Sequence, residues 1–190
     1  MSKLTHKAIR LTKNQRPTFF AAVFRYLDQW LVSRRGWKYI PTSATQYFYV
    51  DIHKYHGQAI VLSDQVMIKP GDLVGEIHLD SNKLRNLDLN LRSIMRLLRQ
   101  ELKALALVAR DDQDFQEVRA YWCRTVLHAF LTRAGFTTRR VDSPALRVFL
   151  AVWENGLKYV YTKGRFRLRI PMESWISKQK LVERINLNDQ

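Results

Sequence analysis

The sequence predicts an α+β fold: a small, mainly antiparallel sheet covered on one side by about four helices. Three observations predict it. Residues 45–80 are dense in β-formers and punctuated by turn residues. Longer stretches on either side place apolar residues at helical spacing. No segment repeats at a fixed period, which argues against a solenoid. A chain of 190 residues suits one hydrophobic core, so we expect a single domain over 18–186 after a basic tail, 1–17.

In chain order, Phe20, Val23, Phe24, Leu27, Trp30 and Leu31 make the apolar stripe of a first helix that ends near Gly36. Short strands follow in TQYFYVDIHKY, QAIVLSD, QVMIK and DLVGEIHLD, with turns at His56-Gly57 and Pro70-Gly71; together they predict a sheet of three or four strands. Leu91, Ile94, Leu98, Leu102, Leu105 and Val108 predict a long helix. Val118, Trp122, Val126 and Phe130 predict a second one, capped by Asp114 and stopped at Gly135. The short acidic link Asp111-Asp112 predicts that these two form an antiparallel hairpin. FTTRRV can return to the sheet. Ser143-Pro144 opens another helix, to about Tyr161; RFRLRIPMESWIS alternates as a half-exposed strand does, and a short helix closes the domain over about 178–185.

The net charge of +15 is unevenly spread. Residues 1–40 hold nine Lys/Arg against one acid, and 133–180 hold eleven against three, whereas 41–80 hold two against five. Such a field concentrates anions, so the expected partners are an anionic polymer, polysaccharide or nucleic acid. The basic side of the first helix, with Arg25, Arg34 and Arg35, also suits peripheral contact with an anionic membrane. Apolar runs are broken by charge well short of the ~20 residues of a membrane span, and residues 1–18 lack the apolar core of a secretory signal. A cytoplasmic location, with or without membrane-peripheral contact, is therefore expected. Cys123 is the single cysteine, which excludes an intramolecular disulfide and a multi-cysteine zinc site; it is expected as a small buried hydrophobe on a helix.

No phosphate-binding loop, dinucleotide turn, nucleophile elbow or HExxH helix is present, and seven glycines supply a phosphate cradle poorly. Two patterns carry chemistry. In PGDLVGEIHLD, Asp72, Glu76, His78 and Asp80 share one strand parity, so Glu76, His78 and Asp80 project from one face with Cα atoms ~6.5–7 Å apart. A carboxylate at that spacing can orient an imidazole, or the set can share a metal; Asp51 or His53 on a neighbouring strand joins if the register allows. The same alternation also describes a solvated sheet face. In KYVYTKGRFRLR, the cations Lys163, Arg165, Arg167 and Arg169 are interleaved with Tyr159, Tyr161 and Phe166, a mixture suited to phosphate or acidic-sugar contacts, and equally to a charged edge strand. The five tryptophans lie mostly among apolar residues and are expected in the core.

AIVLSDQVMIKPGDLVGEIHLDSNKL, the Leu/Arg-rich helix after it and the late WISKQKLVER resemble the YkoP-like domain family of bacteria over about three quarters of the chain. The resemblance implies that His78 and Asn82, with Gly71 at the turn, mark the site. It further implies a bacterial source and a link to cell-envelope polysaccharide, since similar domains can be joined to polysaccharide deacetylase domains. It implies no particular reaction or cofactor, and the chain has no deacetylase motif.

Two readings follow. The first is a non-catalytic accessory module that binds an anionic polymer or an envelope-associated partner through Tyr161, Lys163, Arg165, Arg167 and Arg169. The second is an enzyme acting on an envelope carbohydrate, with His78 carrying the proton, Glu76 and Asp80 orienting it or holding a metal, and Asn82 positioning the substrate.

Overall fold

The computed structural model describes residues 38–80, 91–152 and 170–188, with Tyr26 and Lys83. It contains a six-stranded mixed sheet in the order β1-β2-β5-β6-β8-β7. The strands are β1 (Lys38–Tyr39), β2 (Phe48–Lys54), β5 (Leu73–Leu79), β6 (Ala120–Thr125), β7 (Thr137–Arg140) and β8 (Met172–Ser177). Only β5 and β6 run parallel; the other pairs are antiparallel. A separate hairpin, β3 (Ile60–Val61) and β4 (Met67–Ile68), completes the strands.

The parallel pair needs a crossover, and the long helix α1 (Leu91–Asp111) lies on that crossover. Its apolar stripe packs on one face of the sheet: Leu98, Leu102, Leu105 and Val108 share a core with Phe48, Val50, Ile77, Tyr121 and Ile176. A fully buried Leu such as Leu105 contributes about 1.5–3 kcal/mol. Phe115 of the single turn α2 (Gln113–Gln116), Leu131 of α3 (His128–Arg133) and Leu181 of α4 (Lys178–Asn188) join the same core. The helices therefore cover one side, as expected. Gly75 makes this packing possible: a Cβ there would lie 2.6 Å from the Tyr121 ring, which is wholly buried.

Glu101 of α1 is also fully buried, and it sets the entry into β2. Its Oε1 accepts from Ser43 Oγ at 2.8 Å, from the Tyr47 amide at 2.9 Å and from the Thr45 hydroxyl. A buried carboxylate persists only with such donors, so the loop before β2 is tied to the helix and the register of β2 follows.

On the opposite face the β3–β4 hairpin covers one end. Ile60, Leu62 and Ile68 pack against Val74, Ala120, Trp122 and Trp175, and the two indoles stack with centroids 5.0 Å apart. The hairpin turn is anchored by Ser177 donating to Asp64 and by Thr137 Oγ1 donating to Ser63 Oγ at 2.9 Å. At the other end of the hairpin, Pro70 and Gly71 (φ +93°) form a turn closed by the Asp72 amide on the Lys69 carbonyl at 3.1 Å.

Several expectations are corrected. The second long helix does not exist: residues 120–125 are strand β6, and helix is confined to the single turn α2 before it and to His128–Arg133 before Gly135 (φ +95°). Ala120, Tyr121, Trp122 and Cys123 are all buried because β6 lies between β5 and β8 with both faces covered. Such a strand shows no alternation and mimics a buried helix. The expected helical hairpin is thus a β5–α1–β6 crossover, and Cys123, buried as expected, sits on a strand. Asp112, not Asp114, caps α2, accepting the Asp114 amide at 2.9 Å. The strands of 45–80 do not form one sheet either: β2 pairs directly with β5, and β3 pairs with β4. FTTRRV returns to the sheet as β7. The helix opening at Pro144 is described as far as 152, and of the first predicted helix only Tyr26, in helical conformation, is described. Among the described residues no helix is long and apolar enough to cross a membrane.

Candidate functional site

Beyond the hairpin, the sheet face opposite the helices carries charge. Asp51 pairs with Glu76 across β2 and β5, Glu76 with Trp122 and Trp122 with Trp175. The adjoining row holds Tyr49 opposite His78, and Arg124 opposite Glu173, which in turn pairs with Arg139. The cross-strand register thus gathers groups that lie far apart in the chain.

The groups are close and partly shielded. One ligating atom each of Asp51, His53 and Glu76 lies within 4.8 Å of the others. His78 Nε2 is 3.8 Å from Glu76 Oε2, with these side chains 20% and 13% exposed. These side chains are half-buried, with His53 the most open of the set at 34% exposed. Glu76 Oε1 faces Arg124 Nη1 at 3.5 Å, and Arg124 Nε reaches Glu173 at 3.4 Å. The guanidinium lies 4.3 Å over the Trp122 ring, which fixes its plane. Arg139 closes the row on Glu173 at 3.4 Å. The His53 ring meets the edge of Trp122 at 6.3 Å.

Asp80 belongs to a different network. It is 5% exposed and accepts from Tyr39 Oη at 2.8 Å and Tyr49 Oη at 3.2 Å. The two phenol rings stack with centroids 4.2 Å apart, and Lys83 Nζ lies 4.3 Å over the Tyr39 ring. Burial raises the Tyr49 pKa above its ordinary value, and the Tyr39 hydrogen bond and the Asp80 charge push it further. Burial also raises that of Tyr39. Both phenols stay protonated and donate.

A second site-like feature lies where β7 and β8 meet α3. A cleft of about 730 Å³ is lined by His128, Arg140 and Arg147 with Ala129, Ile170, Pro171 and Met172, with no acid among the described lining residues. His128 Nδ1 and Arg147 Nε are buried there with no hydrogen-bond partner among the described residues. A shallower depression of about 570 Å³ sets Arg110, Arg119 and Lys178 against Glu117 and Glu183, so its charge is mixed.

Of the residues singled out in the sequence, Glu76 and His78 come together, with Asp51 and His53 joining them from β2. Asp80 turns to the tyrosines, and Asp72 lies at the turn, where its carboxylate accepts the Lys69 amide at 2.8 Å. Asn82, Tyr161, Lys163, Arg165, Arg167 and Arg169 lie outside the described residues. Sequence reasoning missed Arg124, Glu173 and Arg139, and also His128, Arg140 and Arg147. The first three become neighbours only through the register of β6, β7 and β8, and assigning β6 to a helix hid it. Trp122 and Trp175 are core residues, as expected.

This is an α+β domain whose sheet carries a helix-packed apolar face and an opposite, charged one. The family model described as YkoP domain matches residues 17–185, and the chain belongs to that family. Comparison with curated proteins and with solved structures finds no match.

Proposed function

We propose that this YkoP domain is a non-catalytic binding module for an acidic polysaccharide. The supporting observation is the cleft in which His128, Arg140 and Arg147 converge, with no acid among its described lining residues and with His128 Nδ1 and Arg147 Nε buried without a hydrogen-bond partner among the described residues. A buried donor without an acceptor is costly, and an anionic oxygen relieves that cost. Arg165, Arg167 and Arg169, just before Ile170 in the sequence, add to the positive charge of the chain that the reading draws on. The described lining of the cleft combines its cations with apolar Ala129, Ile170, Pro171 and Met172, a surface suited to the carboxylates and ring faces of an acidic sugar chain.

Binding of polygalacturonate, inorganic polyphosphate and single-stranded DNA to the purified chain, measured across a salt series, tests this reading. We expect polygalacturonate to bind at low salt and to weaken steeply as salt rises, and the double variant R140E/R147E to lose about tenfold or more in affinity. No binding at low salt, or binding that the double variant leaves intact, overturns it. Tighter binding of DNA than of polygalacturonate moves the proposal to nucleic acid.

A second reading, an enzyme acting on an envelope carbohydrate, is favoured by the half-buried set Asp51, His53, Glu76 and His78. In it Glu76 orients His78 for proton transfer, Asn82 positions the substrate, and Asp80 acts only through the tyrosines. Release of sugar or acyl product from envelope glycans that disappears in His78→Asn while folding persists is its expected sign. Turnover that survives His78→Asn removes it.

A further inference from the structure

We infer that Asp51, His53 and Glu76, with His78 beside them, form a binding site for a divalent first-row transition metal ion on the charged sheet face. This does not depend on the basic cleft, whose described lining shares no residue with this set.

The placement follows from the register. Glu76 sits at the centre: Asp51 is directly opposite it, His53 is two residues further along β2, opposite Val74, and His78 is two residues further along β5. All four side chains therefore rise from one face of two neighbouring strands. The donor atoms of Asp51, His53 and Glu76 are mutually within 4.8 Å, and His78 Nε2 stands 3.8 Å from Glu76 Oε2. Neighbouring ligands of a four-coordinate ion, with metal–ligand bonds of ~2.0–2.2 Å, lie roughly 3.3 Å apart, so small rotamer adjustments close the set of Asp51, His53 and Glu76, and His78 approaches it from the Glu76 side. At 3.8 Å the His78–Glu76 pair is too long for a hydrogen bond and suited to two ligands sharing an ion.

The surroundings fit the task. Arg124, itself held by Glu173, faces Oε1 of Glu76, while Oε2 of Glu76 is turned toward His78. Trp122 packs in a T-shaped contact with the His53 imidazole and, through Arg124 stacked above it, bears on the carboxylate as well, the kind of outer support that orients metal ligands. Among the described residues Asp51, Glu76, Glu173 and Asp142 stand against Arg124 and Arg139, an excess of two negative charges that a divalent cation offsets. The donor set selects the ion: two imidazoles with two carboxylates suit Zn²⁺, Co²⁺, Mn²⁺ or Fe²⁺, whereas Mg²⁺ and Ca²⁺ prefer oxygen alone.

Calorimetric titration of the full chain with Zn²⁺ tests the inference, with Mg²⁺ titrated in parallel. The expected result is one Zn²⁺ per chain, no comparable Mg²⁺ binding, an affinity about ten- to a hundredfold weaker in Asp51→Asn and in His53→Gln, and unchanged affinity in His128→Gln. Absence of saturable Zn²⁺ binding overturns the site, as does binding that both cluster variants retain. Should either variant fail to fold, the visible spectrum of the wild-type chain with Co²⁺ decides. Bands of a four- or five-coordinate ion, removed by one equivalent of Zn²⁺, support the site; the weak spectrum of hydrated Co²⁺ alone overturns it.

Discussion

The two faces of the sheet are built from the same strands and obey different rules. Toward the helices, Val50, Ile77, Tyr121 and Ile176 are at most 7% exposed and belong to one apolar core cluster. On the reverse, Asp51, Glu76, His78, Arg124 and Glu173 are 12–30% exposed. Partial burial of charge opposes folding unless each group is paired. The helix-side face is therefore explained by stability, whereas the charged face is not: apolar residues at those positions would fold at least as well. A cluster that stability does not require is where binding or chemistry is best sought.

The contrast can be broken at its apolar end most forcefully. Tyr121→Ala empties the space between β5, β6 and α1, and we expect a loss of about 3–5 kcal/mol in denaturant unfolding. A loss below about 1 kcal/mol would mean that the helix-side core is not as continuous as described. Gly75→Ala probes the same layer from the other direction, since the added methyl meets the Tyr121 ring at 2.6 Å and Val50 at 3.1 Å. Overpacking predicts about 1–3 kcal/mol of destabilisation, whereas a neutral result would show that the Tyr121 ring can move aside.

The charged face should yield the smallest change at neutral pH and the clearest dependence on it. Tyr49→Phe removes one hydroxyl from the Asp80 network, worth about 1 kcal/mol. Because the folded-state pKa of Tyr49 is raised above the ordinary 10.0, the stability it contributes is fully present below pH 10.0 and is lost as pH rises above it. Wild-type unfolding free energy should therefore fall at alkaline pH more steeply than that of Tyr49→Phe. Parallel profiles would mean that the phenol titrates as freely in the folded chain as in the unfolded one.

Much of this arrangement was legible in the sequence, and its gaps have definite causes. Alternation on β5 correctly separated Leu73, Gly75, Ile77 and Leu79 from Glu76 and His78, because side chains alternate strictly along a strand. The long apolar period of α1, the Pro70-Gly71 turn and the closing helix were equally plain, each being a local consequence of backbone geometry. Residues 120–125 were not legible, since a strand buried on both faces shows an unbroken apolar run that a helix also accommodates. That single ambiguity concealed the parallel β5–β6 pair, the place of Arg124 beside Glu76 and the approach of Glu173.

What the sequence determined by itself, then, is whatever depends on neighbours two to four residues away: the apolar and polar parities, the turns, the helical stripes and the overall excess of positive charge. The tertiary structure alone decided which strands lie side by side. Hydrogen-bonded register brings Asp51 and His53 to Glu76 and His78, gives Asp80 to the tyrosines, and sets His128, Arg140 and Arg147 around one cleft, because contacts between distant segments are fixed by packing of the whole chain and leave no periodic trace in any one segment.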